Sequence, residues 1–444
     1  MEIMRTAAQA LQQLCGSDLE ELAPETGVIQ RKRKFDAISL LRTLVFTALK
    51  HRVPKPADYK RTACQCGVDV SKAAITGRFN DQLIAFLTAV LDRAVARLLT
   101  VPTTTRAVLQ GFPAVYLGDG TAVRLHEDHA AQFPGCGGTA GAGGAALKIQ
   151  LLWDFVSGAV RRVVIEAGKS SDALSPIARE TVAAGSLMVY DLGYFSLDRF
   201  RRLMTAGVSW ISRLQIGVTV YDGEGRELSL LDDLQRRYEA GERLIDMPIF
   251  LGAEHRLPCR LIAVRVPQET AARRRQEAHA KAAKHGRAAS PEYLRWQDWT
   301  IFVTDCAAER LTWLAVVVLY RVRWQIELMF KIWKSHNGLA SHRPEASPRE
   351  QLATVYAKLI GALIQHWVLL TATWKQIDRS LMKAAVTLRE WINHLAEALD
   401  DLERLVAVLG RLEEILKGDR VERRHKKPSL FQLLDDPGLL EWEI

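Results

Sequence analysis

The sequence lacks any Cys-x-x-Cys or His-x-x-x-His pair, and its six cysteines are scattered at positions 15, 64, 66, 136, 259 and 306. Neither a structural zinc site nor a disulfide framework is therefore expected. Long apolar runs are also missing. The stretch "LTWLAVVVLY" is too short to span a bilayer and leads straight into a charged segment. The first 25 residues carry acids and no apolar core, which excludes a signal peptide and favours a cytoplasmic protein. Repeats of fixed period are absent. Two glycine-rich stretches fail as nucleotide cradles. "EAGKSS" has Val163 where a phosphate loop needs its first glycine, and "GGTAGAGGAA" does not open a helix. No nucleotide cofactor and no membrane partner are expected.

What is present is a globular composition, 48% hydrophobic and 25% charged over 444 residues, enough for about two to four domains with cores. Sixty Lys and Arg outweigh 51 Asp and Glu, for a net charge of +9. That balance favours a polyanionic partner, with nucleic acid ahead of an anionic membrane surface.

Residues 1–105 show apolar side chains at helical spacing in "FDAISLLRTLVFTALKHR" and "NDQLIAFLTAVLDRAVARLL". Between them, Ser71 can cap a short helix that exposes Lys72, Thr76 and Arg78, as in a helix-turn-helix reader of DNA. The run at 30–34, "QRKRK", suits phosphate contact. From about residue 110 the pattern changes to β. A strand at 115–117 is expected to end at Asp119, and a glycine-rich loop follows. Two strands in "LKIQLLWDFVSGAVRRVVIEAG" are joined by a Ser-Gly turn. "SDALSPIARETVAA" reads as a helix, "GSLMVYDLGYFS" as a buried strand ending at Asp191, and a helix capped by Ser196 leads to the strand "VSWISRLQ". Residues 217–297 read as an insertion, mostly β, with a mobile basic stretch near its end. Residues 341–444 are helical and include the basic loop "RVERRHKKPS".

Asp119 and Asp191 each precede a glycine-containing turn at a predicted strand end. Carboxylates that converge repel each other unless a cation lies between them, and hard oxygen ligands suit Mg²⁺, with Mn²⁺ as a substitute. A third carboxylate on a helix, Glu327, would complete a pair of ion sites of the kind used in phosphodiester chemistry. That helix, "LYRVRWQIELMFKIWKSH", carries Tyr320, Arg323, Glu327 and Lys334 at offsets of three, seven and fourteen. At roughly 100° per residue they fall in one stripe of about 60°, opposite Ile326, Met329 and Trp333. Arg323 and Lys334 are suited to backbone phosphates and Tyr320 to a phosphate hydrogen bond or a base. The residues alone leave open a nuclease without strand transfer and a catalytically idle DNA-binding protein.

The pattern Tyr-x2-Arg-x3-Glu-x6-Lys in "Y-RV-R-WQI-E-LMFKIW-K", with Asp119 in "LGDGT" and Asp191 in "VYDLGYF", resembles the bacterial DDE transposases named for insertion sequence four. The resemblance implies an α/β fold: a ribonuclease H-like catalytic core over 106–340, a mixed sheet flanked by helices, interrupted by a β-rich insertion. All-helical N- and C-terminal regions would bind DNA ends and dimerise. It implies cut-and-paste transposition with two Mg²⁺ ions held by Asp119, Asp191 and Glu327. The partners would be the double-stranded inverted-repeat ends of an element and its target, in a synaptic homodimer in the bacterial cytoplasm. A hairpin intermediate with a flipped base is implied too, which Trp296 or Trp299 would stack.

Overall fold

The structure, a computed structural model, describes residues 2–30, 34–101, 106–136, 144–374, 379–421 and 428–443. Residues 31–33 of the basic run, 137–143 of the glycine-rich loop and 422–427 of the basic loop near residue 420 lie outside this set. The chain begins with six helices: α1 Glu2–Leu14, α2 Asp18–Thr26, α3 Ala37–Lys50, α4 Pro56–Gln65, α5 Lys72–Thr76 and α6 Asp81–Ala96. Then come β1 Val115–Arg124, β2 Ala146–Asp154, β3 Val160–Ala167, β4 Leu187–Tyr190, α7 Leu197–Thr205 and β5 Ser209–Arg213. The next elements are β6 Val220–Tyr221, α8 Leu230–Glu239, β7 Leu244–Leu251, β8 Leu257–Arg265, α9 Gln268–Ala283, α10 Pro291–Trp296 and β9 Trp299–Thr304. Helices α11 Trp313–Val322, α12 Trp324–Lys331, α13 Pro348–Thr373, α14 Leu381–Ala398, α15 Leu402–Leu416 and α16 Leu430–Asp435 complete the order.

The strands form one mixed sheet in the order β3-β2-β1-β4-β5-β9-β8-β7-β6. Strands β2 and β3 make an antiparallel hairpin. Strand β4 pairs in parallel with β1 and with β5, and the rest of the ladder from β5 outward is antiparallel. A parallel neighbour needs a crossover, and α7 supplies it between β4 and β5. Its cap is as expected: the Ser196 hydroxyl accepts from Arg199 N.

Two compact units divide the chain. The first comprises Met1–Thr104, Asp119–Ser170 and Gln325–Glu422, so α1–α6 and α13–α15 fall together, whereas α16 belongs to the second. The second comprises Thr105–Gly118, Ser171–Trp324 and Arg423–Ile444.

In the first unit, α13 is the axis, packed by α6, α3, α15, α14 and α1. It corrects the expectation that no apolar run is long enough to cross a membrane. By length and composition these 26 residues pass that test, but they are buried within the protein. A core helix surrounded on all sides has the same apolar signature as a span. Its buried polar residues are mostly bonded, the Nε2 of Gln351 being an exception. Lys358, 2% exposed, donates to the carbonyls of Arg52 (2.8 Å), Gly338 (2.6 Å) and Ser341 (2.6 Å). Burial, and then the neighbouring charge of Arg52, drives its pKa down to about 7. Gln365 accepts from the buried Asn337 amide (2.7 Å), which ties the segment after α12 to the core.

Three expectations are corrected in the second unit. The stretch 171–184 forms two short 3₁₀ turns, Asp172–Leu174 and Pro176–Arg179, rather than a helix. Ser175 and Pro176 interrupt it before a second α turn can close. The insertion is α/β rather than mostly β, and β8 pairs with β9, so it extends the main sheet. The basic stretch is α9, a regular 16-residue helix, as its run of Ala, Arg, Glu and Gln favours.

His366, in the first unit, generates a test. Its buried Nε2 lies 2.7 Å from Gly158 O, and its ring meets Trp153 and Trp374 edge-on. Gly158 has φ +76°, and a Cβ there would lie 2.3 Å from Leu370. Burial holds the imidazole pKa down to about 4, against 6.5 ordinarily. Between these values the unfolded chain binds the extra proton, so stability falls as pH drops from 6.5 toward 4. The loss should reach about 3 kcal/mol. Chemical denaturation across this window should show this acid limb, and His366→Gln, which cannot titrate, should flatten it.

Candidate active site

Asp119 lies inside β1 rather than at its end, because the strand continues to Arg124. What ends near it is the parallel pairing: the last registered pair of β1 and β4 is Gly118↔Tyr190. Asp119 and Asp191 are the residues that follow on each strand. The Asp119 carboxylate accepts from Gly120 N (2.8 Å) and is half-buried. Asp191 opens a 3₁₀ turn, Leu192–Tyr194.

That turn is held by a residue the sequence did not single out. Arg199, 1% exposed, donates to the carbonyls of Tyr194 and, at 2.7 Å, Ala173. Its guanidinium also lies 5.2 and 5.6 Å from the ring centres of Tyr190 and Tyr194. An arginine on the buried side of a short amphipathic helix is the only sequence signal for this role.

The stretch Leu319–His336 is not one straight helix. It tightens at Arg323, whose N–H bonds to Tyr320 O three residues back (3.2 Å). It then widens into a π turn at Ile332–His336, where Asn337 N bonds to Ile332 O five residues back (3.0 Å). The apolar face is as expected: Ile326, Met329 and Trp333 are 0%, 3% and 3% exposed. The polar stripe is thus distributed over two helices and a π turn.

In the second unit, Asp191, Arg323 and Tyr320 come together. Arg323 Nε is 3.8 Å from Asp191 Oδ1, with side chains 17% and 42% exposed. The Arg323 guanidinium is also 5.6 Å from the Tyr320 ring centre. Burial pushes the Tyr320 hydroxyl up to about 12, so it remains a neutral donor, and its ring meets Phe302 edge-on at 5.1 Å. In the first unit, Glu327 stands half-buried in the first turn of α12, and Lys334 is half-buried in the π turn with its pKa lowered by burial.

By chemistry these three carboxylates suit a hard divalent cation: all-oxygen donors, partly open to solvent. Among the described residues, no three His, Cys, Asp or Glu side chains are already gathered tightly enough to hold an ion.

Lys72 is exposed on α5, whose Ser71 cap is as expected. Arg78 is less free, since it donates to Val28 O (3.2 Å). The tryptophans expected to stack a base are buried in the free protein: Trp296 and Trp299 are 9% and 2% exposed, and Trp299 packs on Tyr238. Among the described residues the exposed indole is Trp324, at 61%, beside Arg323 and three residues before Glu327. The helical spacing that buries Ile326 and Trp333 leaves Trp324 off the apolar face, a signal already present in the sequence.

A family model for the transposase DDE domain matches residues 110–360. The chain belongs to the DDE transposases, enzymes that cleave and transfer DNA strands. It is similar to the transposase for insertion sequence element IS231C of Bacillus thuringiensis subsp. berliner, 27% identical over 98% of this chain and 95% of that protein. It is also similar to the transposase for insertion sequence element IS1151 of Clostridium perfringens, 23% identical over 80% of this chain and 78% of that protein.

An indole this exposed adds little to stability, whereas stacking on a base contributes about 1–3 kcal/mol. Trp324→Ala should therefore leave ΔG of unfolding within about 0.5 kcal/mol of wild type while weakening binding to DNA with unpaired ends roughly 5- to 150-fold. Trp324→Phe should restore most of the affinity in the same titration.

Proposed function

We propose that this transposase excises and inserts an insertion sequence by divalent-metal-dependent hydrolysis and strand transfer, with Asp119, Asp191 and Glu327 as the carboxylates of its active centre. The observation that carries this reading is the β1–β4 register, because Asp119 and Asp191 directly follow the paired Gly118 and Tyr190. The strand order β3-β2-β1-β4-β5, a hairpin followed by parallel strands, supports a ribonuclease H-like core. Two bound Mg²⁺ ions, or Mn²⁺ in their place, would supply the charge that activates a water or a 3′-hydroxyl and stabilises the departing oxygen.

The chain's own groups have separable tasks. The three carboxylates would hold the cations. Arg199 keeps the Asp191 turn in place from beneath. Arg323 faces Asp191 in the free protein and would turn its fork to a DNA phosphate when that carboxylate holds a cation. Tyr320, kept protonated by burial, donates to the same backbone. Lys334 adds a point charge further along. Trp324 stacks an unpaired base, the role a hairpin intermediate requires. The N-terminal helices, with Lys72, bind the inverted-repeat ends of the element, and the C-terminal helices pair two copies on them.

The test uses the purified chain with a duplex bearing the element's end. Asp119→Ala, Asp191→Ala and Glu327→Ala should each reduce Mg²⁺-dependent strand cleavage by at least a thousandfold while end binding in a gel shift survives. Precut ends with free 3′-hydroxyls should be joined to a plasmid by wild type. Normal cleavage by any of the three variants would remove that residue from the centre, and failure of wild type to join precut ends would reduce the activity to that of a nuclease.

A further inference from the structure

We propose that Arg52, His336 and Arg389 form a phosphodiester-binding site for the DNA strand that runs past the catalytic helix, an inference that rests on the transposase reading above. The three come from distant parts of the chain: the α3–α4 connection, the π turn and α14. They meet over Gly338. This glycine has φ +64°, and a Cβ on it would lie 2.5 Å from Arg52 O and 2.7 Å from Arg52 Cα. Arg52 is thus packed against the π-turn exit, and Arg389 donates from its guanidinium to His336 O. Beneath them the buried Lys358 ammonium holds the carbonyls of Arg52, Gly338 and Ser341 together. Lys331 stands one turn upstream.

This is a cluster of like charge. Among the described residues, Arg52, Lys331 and Arg389 have no carboxylate partner, whereas Arg42, Arg61, Arg97 and Arg349 of the same unit pair with Asp400, Asp58, Asp18 and Asp81. The cost is visible in the ring and the guanidinium. Burial and then Arg389, Arg52 and Lys331 lower the pKa of His336, and burial and then Arg52 lower that of Arg389. Converging cations with no acid among them reduce the stability of the free protein, and a polyanion removes that penalty. The position fits a DNA strand. Nine residues, about 14 Å of helix, separate Glu327 from His336, and Lys334 lies on the way. A phosphate backbone passing Glu327 and following the helix toward its C-terminal end would meet Lys334 first and this cluster next.

The phosphates belong either to the transposon end or to target DNA, and the assay separates them. The full-length chain is compared with Arg52→Gln, Arg52→Gln/Arg389→Gln and Arg52→Lys/Arg389→Lys. Binding to an end-bearing duplex is followed from roughly 50 to 200 mM NaCl, and joining of precut ends to a plasmid is followed in parallel. Each lost phosphate contact should reduce the slope of log affinity against log salt by about 0.9. The double Gln variant should therefore lose about 1.8 from the slope for whichever DNA the site holds, with at least a tenfold fall in affinity or joining, and the Lys pair should recover most of it. A loss on the end duplex assigns the site to transposon DNA. A loss confined to plasmid joining assigns it to target. Without DNA, Arg52→Gln, which leaves the Arg389–His336 bond in place, should melt no lower than wild type, because it relieves repulsion; a merely structural Arg52 would lower the melting temperature. Unchanged slopes and joining in the double Gln variant, beside an active wild type, would overturn this site alone. A wild type that neither binds nor joins DNA would overturn the transposase reading and this inference with it.

Discussion

The parallel pairing of β1 with β4 is the constraint on which the candidate centre depends. Val115, Leu117, Leu187, Met188 and Val189 are all fully buried, and Tyr190 is 1% exposed. In a strand covered on both faces, a slip of one residue would turn every side chain to the opposite side. The register is therefore strongly determined, and the two aspartates inherit their positions from it. The apolar residues supply the energy of the ladder, and the acids take the first places where it stops. Arg199 adds the local precision, because a four-residue strand alone would not determine the turn that follows it. Its guanidinium is buried under Tyr190 and Tyr194 and bonded to two carbonyls, so the loop bearing Asp191 is bound to the core.

The segment bearing Glu327 is stabilised differently. A straight helix from Leu319 to His336 would keep Tyr320, Arg323, Glu327 and Lys334 in register with one another. The chain instead tightens at Arg323 and widens after Lys331. Each departure re-aims the side chains that follow, and π turns store such adjustments at functional sites. Adjustments of this kind persist only when the surroundings over-determine them. Here the surroundings are Asn337 bonded to Gln365, Lys358 bonded to three carbonyls, and Gly338 in the left-handed region against Arg52. The buried lysine of α13 therefore serves the helix before it as much as its own.

These details explain which parts of the molecule were legible in the sequence. Strong periodicity carried through: α3, α6, the β2–β3 hairpin, β4 and β5 all occur where their apolar spacing placed them. The DDE domain match covers the stretch that holds the Tyr320–Lys334 stripe. Contacts distant in sequence did not carry through. The β8–β9 pairing that joins the insertion to the main sheet spans some forty residues, and nothing local specifies it. The failed helix at 171–184 turned on Pro176, whose effect depends on where the first turn starts. The burial of Trp296, at the end of α10, and of Trp299, in β9, could not be read without the neighbouring sheet, whereas the exposure of Trp324 follows from spacing alone.

Charge placement links the fold to the activity. A net charge of +9 could be spread evenly over the surface, where each cation would be well solvated and of little consequence. Instead, many arginines of the helical unit are matched to acids from other elements, as Arg42 is to Asp400 and Arg97 to Asp18, and these pairs knit distant helices together. Matching of this kind makes the unmatched positions informative. Arg52, Lys331 and Arg389 collect beside the end of the catalytic segment, at the one glycine whose backbone admits Arg52 so closely. Arg323 lies near Asp191 at 3.8 Å, a distance longer than that of a tight hydrogen-bonded pair. Folding uses the neutralised charges, and the remaining ones are left where a polyanion would have to pass. In a DDE transposase, a face kept electrostatically incomplete in the free protein becomes complete only with DNA in place, so that the binding energy of the strand is available to assemble the centre that acts on it.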